Sequence, residues 1–282
     1  MSRNLIHIKD FSKEELYEVF RLADQIAADG YRDKILQGKT IVLFFPESSI
    51  RTRVTFEKGI RQLGGDTILF PPSALDKREK PEDVIRYLEN WADAVVVRHS
   101  DLELVENLAK HANLPVINAM TSENHPCEMI ADMYSLSKVC PDFINKKFLF
   151  LGANGNIGKS WKEAAELMGF DLEQCCPAGY ELDGIRTYRS LDEAIIEKDI
   201  ICTDSIPGKA KEDFKGYQIT LSSMQKANAG AILNPCPPFY RGEEVSEDVI
   251  ASDYFVGYAF KRHLLEVQQA IIILLQKYQH KQ

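Results

Sequence analysis

Ser49, Arg51, Thr52 and Arg53 fall within five residues, and this combination of hydroxyls and guanidiniums suits the binding of a small anion. The stretch before them, Thr40-Ile41-Val42-Leu43-Phe44-Phe45, is a short apolar run of β-branched and aromatic residues and reads as a buried strand. After them, Phe56, Ile60 and Leu63 recur at helical spacing until Gly64-Gly65. The polar residues therefore sit on a strand-to-helix turn, where unpaired backbone N–H groups and the positive end of the helix dipole favour an anion. Two arginines there repel each other and the dipole unless an anion neutralises them. The competing local reading makes Ser49 an ordinary N-cap and turns both arginines into water.

Further residues able to do chemistry lie at comparable turns. Arg98 ends the apolar run Ala94-Val95-Val96-Val97, where a surface arginine is the plain alternative. His125 precedes a helix in His125-Pro126-Cys127-Glu128, where a structural histidine is the plain alternative. Cys236 stands in the proline-rich turn Asn234-Pro235-Cys236-Pro237-Pro238; as a nucleophile it lacks a nearby activating histidine. Gly152-Ala153-Asn154-Gly155-Asn156-Ile157-Gly158 comes after a strand and resembles a dinucleotide-binding turn, with Asp171 and Glu173 downstream.

The elements that must position these residues alternate. A helix is expected over 10–28 with Ser12 as N-cap. Strands are expected at 67–70, 94–97 and 115–118, and helices at 81–88, 102–111 and 126–139. The second half repeats the pattern, with strands at 147–151, 200–203 and 231–234 and a helix ending near Met168. A long apolar helix over 260–278 closes the chain. The order implies an α/β chain of two domains, each a parallel sheet covered by helices on both faces. The expected domains are 1–140 together with the C-terminal helix at 259–282, which packs back on the first domain, and 141–258.

The chain has 282 residues, 45% hydrophobic and 27% charged, enough for two cores. A net charge of −8 argues against nucleic acid or an anionic membrane as partner. No apolar run reaches the roughly 20 residues that span a bilayer, and the start Met1-Ser2-Arg3-Asn4 lacks a signal-peptide pattern. Six scattered cysteines without Cys-x-x-Cys spacing fit neither a zinc site nor a disulfide framework, and suggest the cytoplasm.

Ser49-Ile50-Arg51-Thr52-Arg53 resembles the phosphate-binding turn of the aspartate and ornithine carbamoyltransferases. Arg98 and His125-Pro126-Cys127-Glu128 fall where that family has an arginine ending a strand and a His-Pro-x-Gln motif opening a helix. Cys236 and Pro238 match the ornithine enzymes' His-Cys-Leu-Pro segment, and Arg241-Gly242-Glu243-Glu244-Val245 matches the Arg-Gly-Glu-Glu-Val run after it. The resemblance covers nearly the whole chain and implies a Rossmann-like topology for the second, acceptor-side domain. It implies a carbamoyltransferase that moves a carbamoyl group from carbamoyl phosphate to an amine, ornithine-like by preference, with no metal or redox cofactor. It implies Ser49, Ile50, Arg51, Thr52, Arg53 and Arg98 around the phosphate, with Arg53 supporting the turn, and Thr52, Arg98 and His125 around the carbonyl oxygen. Asn156, Asp204, Cys236 and Pro237 fall at acceptor positions, with Cys236 also near the reacting nitrogen. Lys209 and Arg262 are the cations that an acidic acceptor would require, and Arg262 is counted with the acceptor residues. Lys77, in the charged loop Leu75-Asp76-Lys77-Arg78-Glu79-Lys80, would reach the neighbouring subunit of a homotrimer.

This sequence departs from the family in two places. Glu128 stands where the family has the glutamine that accepts from the carbamoyl NH2 group. A carboxylate can also accept, but beside a phosphate dianion it costs energy unless Arg or Lys offsets it. The Ser-Met-Gly segment expected after Asp204 is replaced by Ser205-Ile206-Pro207-Gly208-Lys209. Two other readings compete: an NAD-dependent oxidoreductase using the glycine-rich turn, and a non-catalytic relative that only binds.

Overall fold

The computed structural model describes residues 3–29 and 33–279. Met1 and Ser2, on which the reading of the chain start rests, and positions 280–282 at the end of the expected C-terminal segment lie outside the described residues. Nine strands are described: β1 Thr40–Phe44, β2 Asp66–Phe70, β3 Ala94–Arg98, β4 Val116–Met120, β5 Lys147–Leu151, β6 Asp171–Cys175, β7 Thr187–Tyr188, β8 Ile200–Thr203 and β9 Ile232–Pro235. The helices are α1 Lys13–Asp29, α2 Ile50–Gln62, α3 Pro81–Leu88, α4 Leu102–His111, α5 Pro126–Val139, α6 Asn156–Met168, α7 Leu191–Ala194, α8 Leu221–Met224, α9 Glu247–Ile250 and α10 Leu264–Gln279. The chain divides into two compact units: one runs to Ser135 and resumes at Lys261, and the other spans Leu136–Phe260.

In the first unit the sheet order is β2-β1-β3-β4, all parallel. The central strands are apolar because both faces are covered. Val95 and Val97 of β3 pack with Ile85 of α3 and with Val105 and Leu108 of α4. α10 packs against α1 and α2, as expected for a helix whose run Ala270–Leu275 is almost wholly apolar and buried. Gly59 allows close contact between α2 and α10: a Cβ there would lie 3.0 Å from Gln269 Cγ. The Gln269 amide nitrogen donates to the Gly59 carbonyl at 3.2 Å. Ser12 and Glu15 form a reciprocal cap at the start of α1, with the Glu15 N–H donating to Ser12 Oγ at 3.2 Å and the Ser12 N–H to Glu15 Oε2 at 2.7 Å.

In the second unit the sheet order is β7-β6-β5-β8-β9, again parallel. Periodicity marked β5, β8 and β9 but not β6 and β7. β6 reads Asp-Leu-Glu-Gln-Cys and carries polar residues into the interior. Their polarity is met by partners outside the strand: Lys198 Nζ lies 2.7 Å from Glu173 Oε2, Gln174 Nε2 donates to the Gly152 and Tyr180 carbonyls at 2.9 Å each, and Gln174 Oε1 accepts the Leu182 N–H at 2.7 Å. No helix among the described residues is long and apolar enough to cross a membrane.

Candidate active site

In an open parallel sheet, ligands collect beyond the C-terminal ends of the strands, and the first unit gathers its polar residues there. β1 ends at Phe44, and the turn after it delivers Ser49 and Thr52 to the start of α2, where both are buried. The Ser49 side chain makes no capping hydrogen bond to α2. Its Oγ instead accepts from Arg98 Nη1 at 3.1 Å, and Thr52 Oγ1 lies 3.4 Å from the same nitrogen. The ordinary N-cap reading is therefore replaced by a guanidinium–hydroxyl cluster that joins the N-terminus of α2 to the end of β3. Arg51 is exposed on the first turn of α2, and the Ile50 side chain faces solvent. Arg53 is paired with Glu57, Nε to Oε1 at 2.6 Å, so its charge is already met within the helix.

β3 places Arg98 at its last position. The next residue, His99, anchors the charged loop. Its Nδ1 accepts the Asp101 N–H at 3.0 Å, so Nε2 carries the proton and donates to Asp76 Oδ1 at 2.9 Å. Lys77 comes directly after Asp76 and is exposed.

β4 leads to His125 through a buried amide network. Asn118 Nδ2 donates to Asn124 Oδ1 at 2.7 Å, Thr121 Oγ1 to the same oxygen at 2.8 Å, and Asn124 Nδ2 to the Ile6 carbonyl at 2.9 Å. Asn118 and Asn124 carried no motif signal, because their partners lie on a distant N-terminal segment and an adjacent turn. His125 is buried, and burial, with Arg98 and Lys261 adding like charge, pushes its imidazole down to about 4. It is thus neutral at physiological pH and able to donate a hydrogen bond without carrying charge.

Glu128, on the first turn of α5, is buried as well. Burial works to raise its carboxyl, but the Lys261 ammonium, by charge and by hydrogen bond, outweighs it, with His125 and Arg51 acting in the same direction, and the group is held below the usual carboxylate range. Lys261 Nζ donates to Glu128 Oε1 at 2.8 Å and to Asp132 Oδ1 at 2.5 Å. Sequence reasoning missed Lys261. It lies 133 residues from Glu128, and nothing near it in the chain marks it out from Arg262, which is exposed in the turn Tyr258–His263.

The second unit carries Asn156 at the start of α6, Asp204 after β8, and Cys236 and Pro237 after β9. The Cys236 N–H donates to the Thr203 carbonyl at 3.0 Å, and the Cys236 side chain is buried. Burial raises the Asp204 carboxyl to about 6, against hydrogen bonds from Ser205. Glu244, not expected as a site residue although it stands in the Arg241–Val245 segment, is fully buried and accepts the Tyr240 N–H at 2.6 Å. Burial raises it to about 7, with Glu243 and Asp204 adding repulsion. The glycine-rich turn has a local explanation: Cβ atoms at Gly152 and Gly158 would come within 2.8 and 2.7 Å of the Phe150 ring. Of the two downstream acids, Glu173 is held by Lys198 and Asp171 is exposed at the start of β6.

Residues 3–138 match the model of the aspartate/ornithine carbamoyltransferase carbamoyl-P binding domain, and residues 145–275 match that of the Asp/Orn binding domain. The ornithine carbamoyltransferase of Geobacter sulfurreducens is 30% identical over 98% of this chain and 100% of its own length. The chain belongs to the aspartate/ornithine carbamoyltransferase family. Membership makes it a carbamoyltransferase. The likeness extends to structure. The ornithine carbamoyltransferase from Thermus thermophilus superposes with a TM-score of 0.91 at 27% identity, covering 98% of this chain and 99% of that one. That from Pyrococcus furiosus gives 0.92 at 27% identity, covering 98% and 97%. The carbamoyltransferase fold thus persists across a sequence in which most positions differ.

Proposed function

We propose that this carbamoyltransferase transfers the carbamoyl group of carbamoyl phosphate to the amine of an ornithine-like acceptor, a small basic amino acid or diamine, and releases phosphate. The observation that carries the reading is the Arg98 guanidinium held on the Ser49 and Thr52 hydroxyls beside the N-terminus of α2. Arg98, Arg51 and the first-turn N–H groups neutralise the phosphate. Arg98, Thr52 and the neutral imidazole of His125 meet the carbonyl oxygen as it becomes an oxyanion on attack by the amine. Glu128 accepts from the carbamoyl NH2 group.

On the acceptor side, Asn156, Asp204, Cys236 and Pro237 lie in the segment that matches the Asp/Orn binding domain. Asp204 favours a cationic acceptor over aspartate. Its carboxyl is raised to about 6, so it gains charge as pH rises through that value and holds a second ammonium better. The attacking nitrogen must also lose its proton before it has a lone pair to use. Both effects have the same sign: kcat/KM for ornithine is expected to rise with pH from 5.5 to 8. Phosphate release measured with ornithine, lysine, putrescine, diaminopropionate and aspartate tests this. Aspartate as the best substrate would overturn it and direct attention to Lys209 and Arg262.

The enzyme is further proposed to be a cytoplasmic homotrimer in which Lys77 completes the neighbouring subunit's site. All six cysteines being thiols supports a reducing compartment. Ile50 and Val54 on α2, with Ile68 and Phe70 on the edge strand β2, are exposed apolar residues suited to self-association. Lys77→Ala and Arg51→Ala subunits should each be inactive, and mixing them after dissociation should restore part of the activity. A fully active Lys77→Ala enzyme, or no recovery on mixing, would exclude shared sites.

A further inference from the structure

Glu128 sets a problem in charge. If it accepts from the carbamoyl amide, as the proposed reaction requires, its carboxylate stands beside a bound phosphate dianion. A glutamine in its place would bring no charge. The charged and titratable groups around Glu128 come from three elements: Arg51 on α2, His125 just before α5 with Asp132 one turn beyond Glu128 on it, and Lys261 from the turn before α10. His125 is neutral near pH 7, and Asp132 adds a second negative charge. Lys261 is the cation that touches the carboxylate, at 2.8 Å from Oε1, and it is itself mostly buried between Glu128 and Asp132.

We propose that Lys261 is a positioning residue for carbamoyl phosphate: by holding Glu128 Oε1 and cancelling its charge, it lets a carboxylate serve as the amide acceptor while a phosphate dianion is bound. The fixed Oε1 leaves Oε2 to accept from the carbamoyl NH2 group. Asp132 holds the lysine from its other side and keeps it aimed. The proposal rests on the assignment of carbamoyl phosphate to this site. Buried charge pairs tolerate the loss of one partner poorly, so the arrangement also explains why a lysine from the end of the chain is brought to the start of α5.

The test keeps the buried charge balanced. Asp132→Asn serves as the reference, Asp132→Asn/Lys261→Met removes the cation, and adding Glu128→Gln to the latter removes the stranded carboxylate. KM and kcat for carbamoyl phosphate are measured from pH 5.5 to 8.5 with ornithine saturating, and circular dichroism checks each fold. Without Lys261, burial acts on the Glu128 carboxyl without its main counterweight and raises it, and carbamoyl phosphate binds best when it is protonated. The KM of the double variant relative to the reference should therefore rise with pH and exceed tenfold at pH 8.5, with kcat changed much less. The triple variant should recover most of that loss and lose the pH dependence. A triple variant as impaired as the double, or a loss equal at every pH, would show Lys261 to be only structural. If the unsubstituted enzyme releases no phosphate with any amine tested, the functional reading fails and this proposal with it; turnover in the unsubstituted enzyme with a flat variant series overturns the role of Lys261 alone.

Discussion

Arg98→Ala is expected to lower kcat/KM about a hundredfold or more while the protein stays folded. The guanidinium is a charged donor at the end of β3, and the proposed reaction places it on both the phosphate and the carbonyl oxygen. A donor of that kind is worth about 3 kcal/mol of transition-state stabilisation or more. Its removal also frees the Ser49 and Thr52 hydroxyls that it holds at 3.1 and 3.4 Å. The sheet has no comparable need of it: β3 is anchored by Val95, Val96 and Val97, all fully buried. Arg51→Ala should act in the same direction, chiefly through the phosphate. Phosphate release from carbamoyl phosphate, with a thermal melt for each variant, checks both. Turnover within a few-fold of the unsubstituted enzyme would remove Arg98 from the site.

His125→Asn should reduce kcat by about a hundredfold, the usual cost of one oxyanion donor, and should make the protein less sensitive to acid. The sign comes from the imidazole being pushed down to about 4 in the folded state by burial. In the unfolded chain it takes up its proton near the ordinary value of about 6.5. Between those values the unfolded state binds more protons, so stability falls as pH drops through that window and is unaffected above it. The full shift corresponds to about 3 kcal/mol. Urea midpoints at pH 7 and pH 4.5 should therefore differ less in the variant, since other carboxylates contribute equally to both proteins and cancel in the comparison. An unchanged difference would mean that His125 takes up its proton as easily in the folded protein as in the unfolded chain.

The local sequence determined most of the fold. A buried parallel strand must be apolar on both faces and a helix start needs caps, so β1, β3, β5, α3 and α5 could be read within a window of a dozen residues. It also marked the proposed anion site, because Ser49, Arg51 and Thr52 are neighbours in the chain and the strand-to-helix turn around them is local. β6 and β7 could not be read in this way. Glu173 and Gln174 become acceptable inside a sheet when Lys198 meets the first and the Gly152 and Tyr180 carbonyls and the Leu182 N–H meet the second.

Charge in the site was decided by tertiary structure. Sequence shows that Glu128 departs from the family's glutamine, and physical chemistry says that a cation must then be near, but neither identifies it. Lys261 meets Glu128 only because α10 folds back on α1 and α2 and carries the preceding turn with it. The neutrality of His125 and the raised carboxyls of Asp204 and Glu244 have the same origin. Protonation depends on how much water and which charges surround a group, and those are set by residues far apart in the chain.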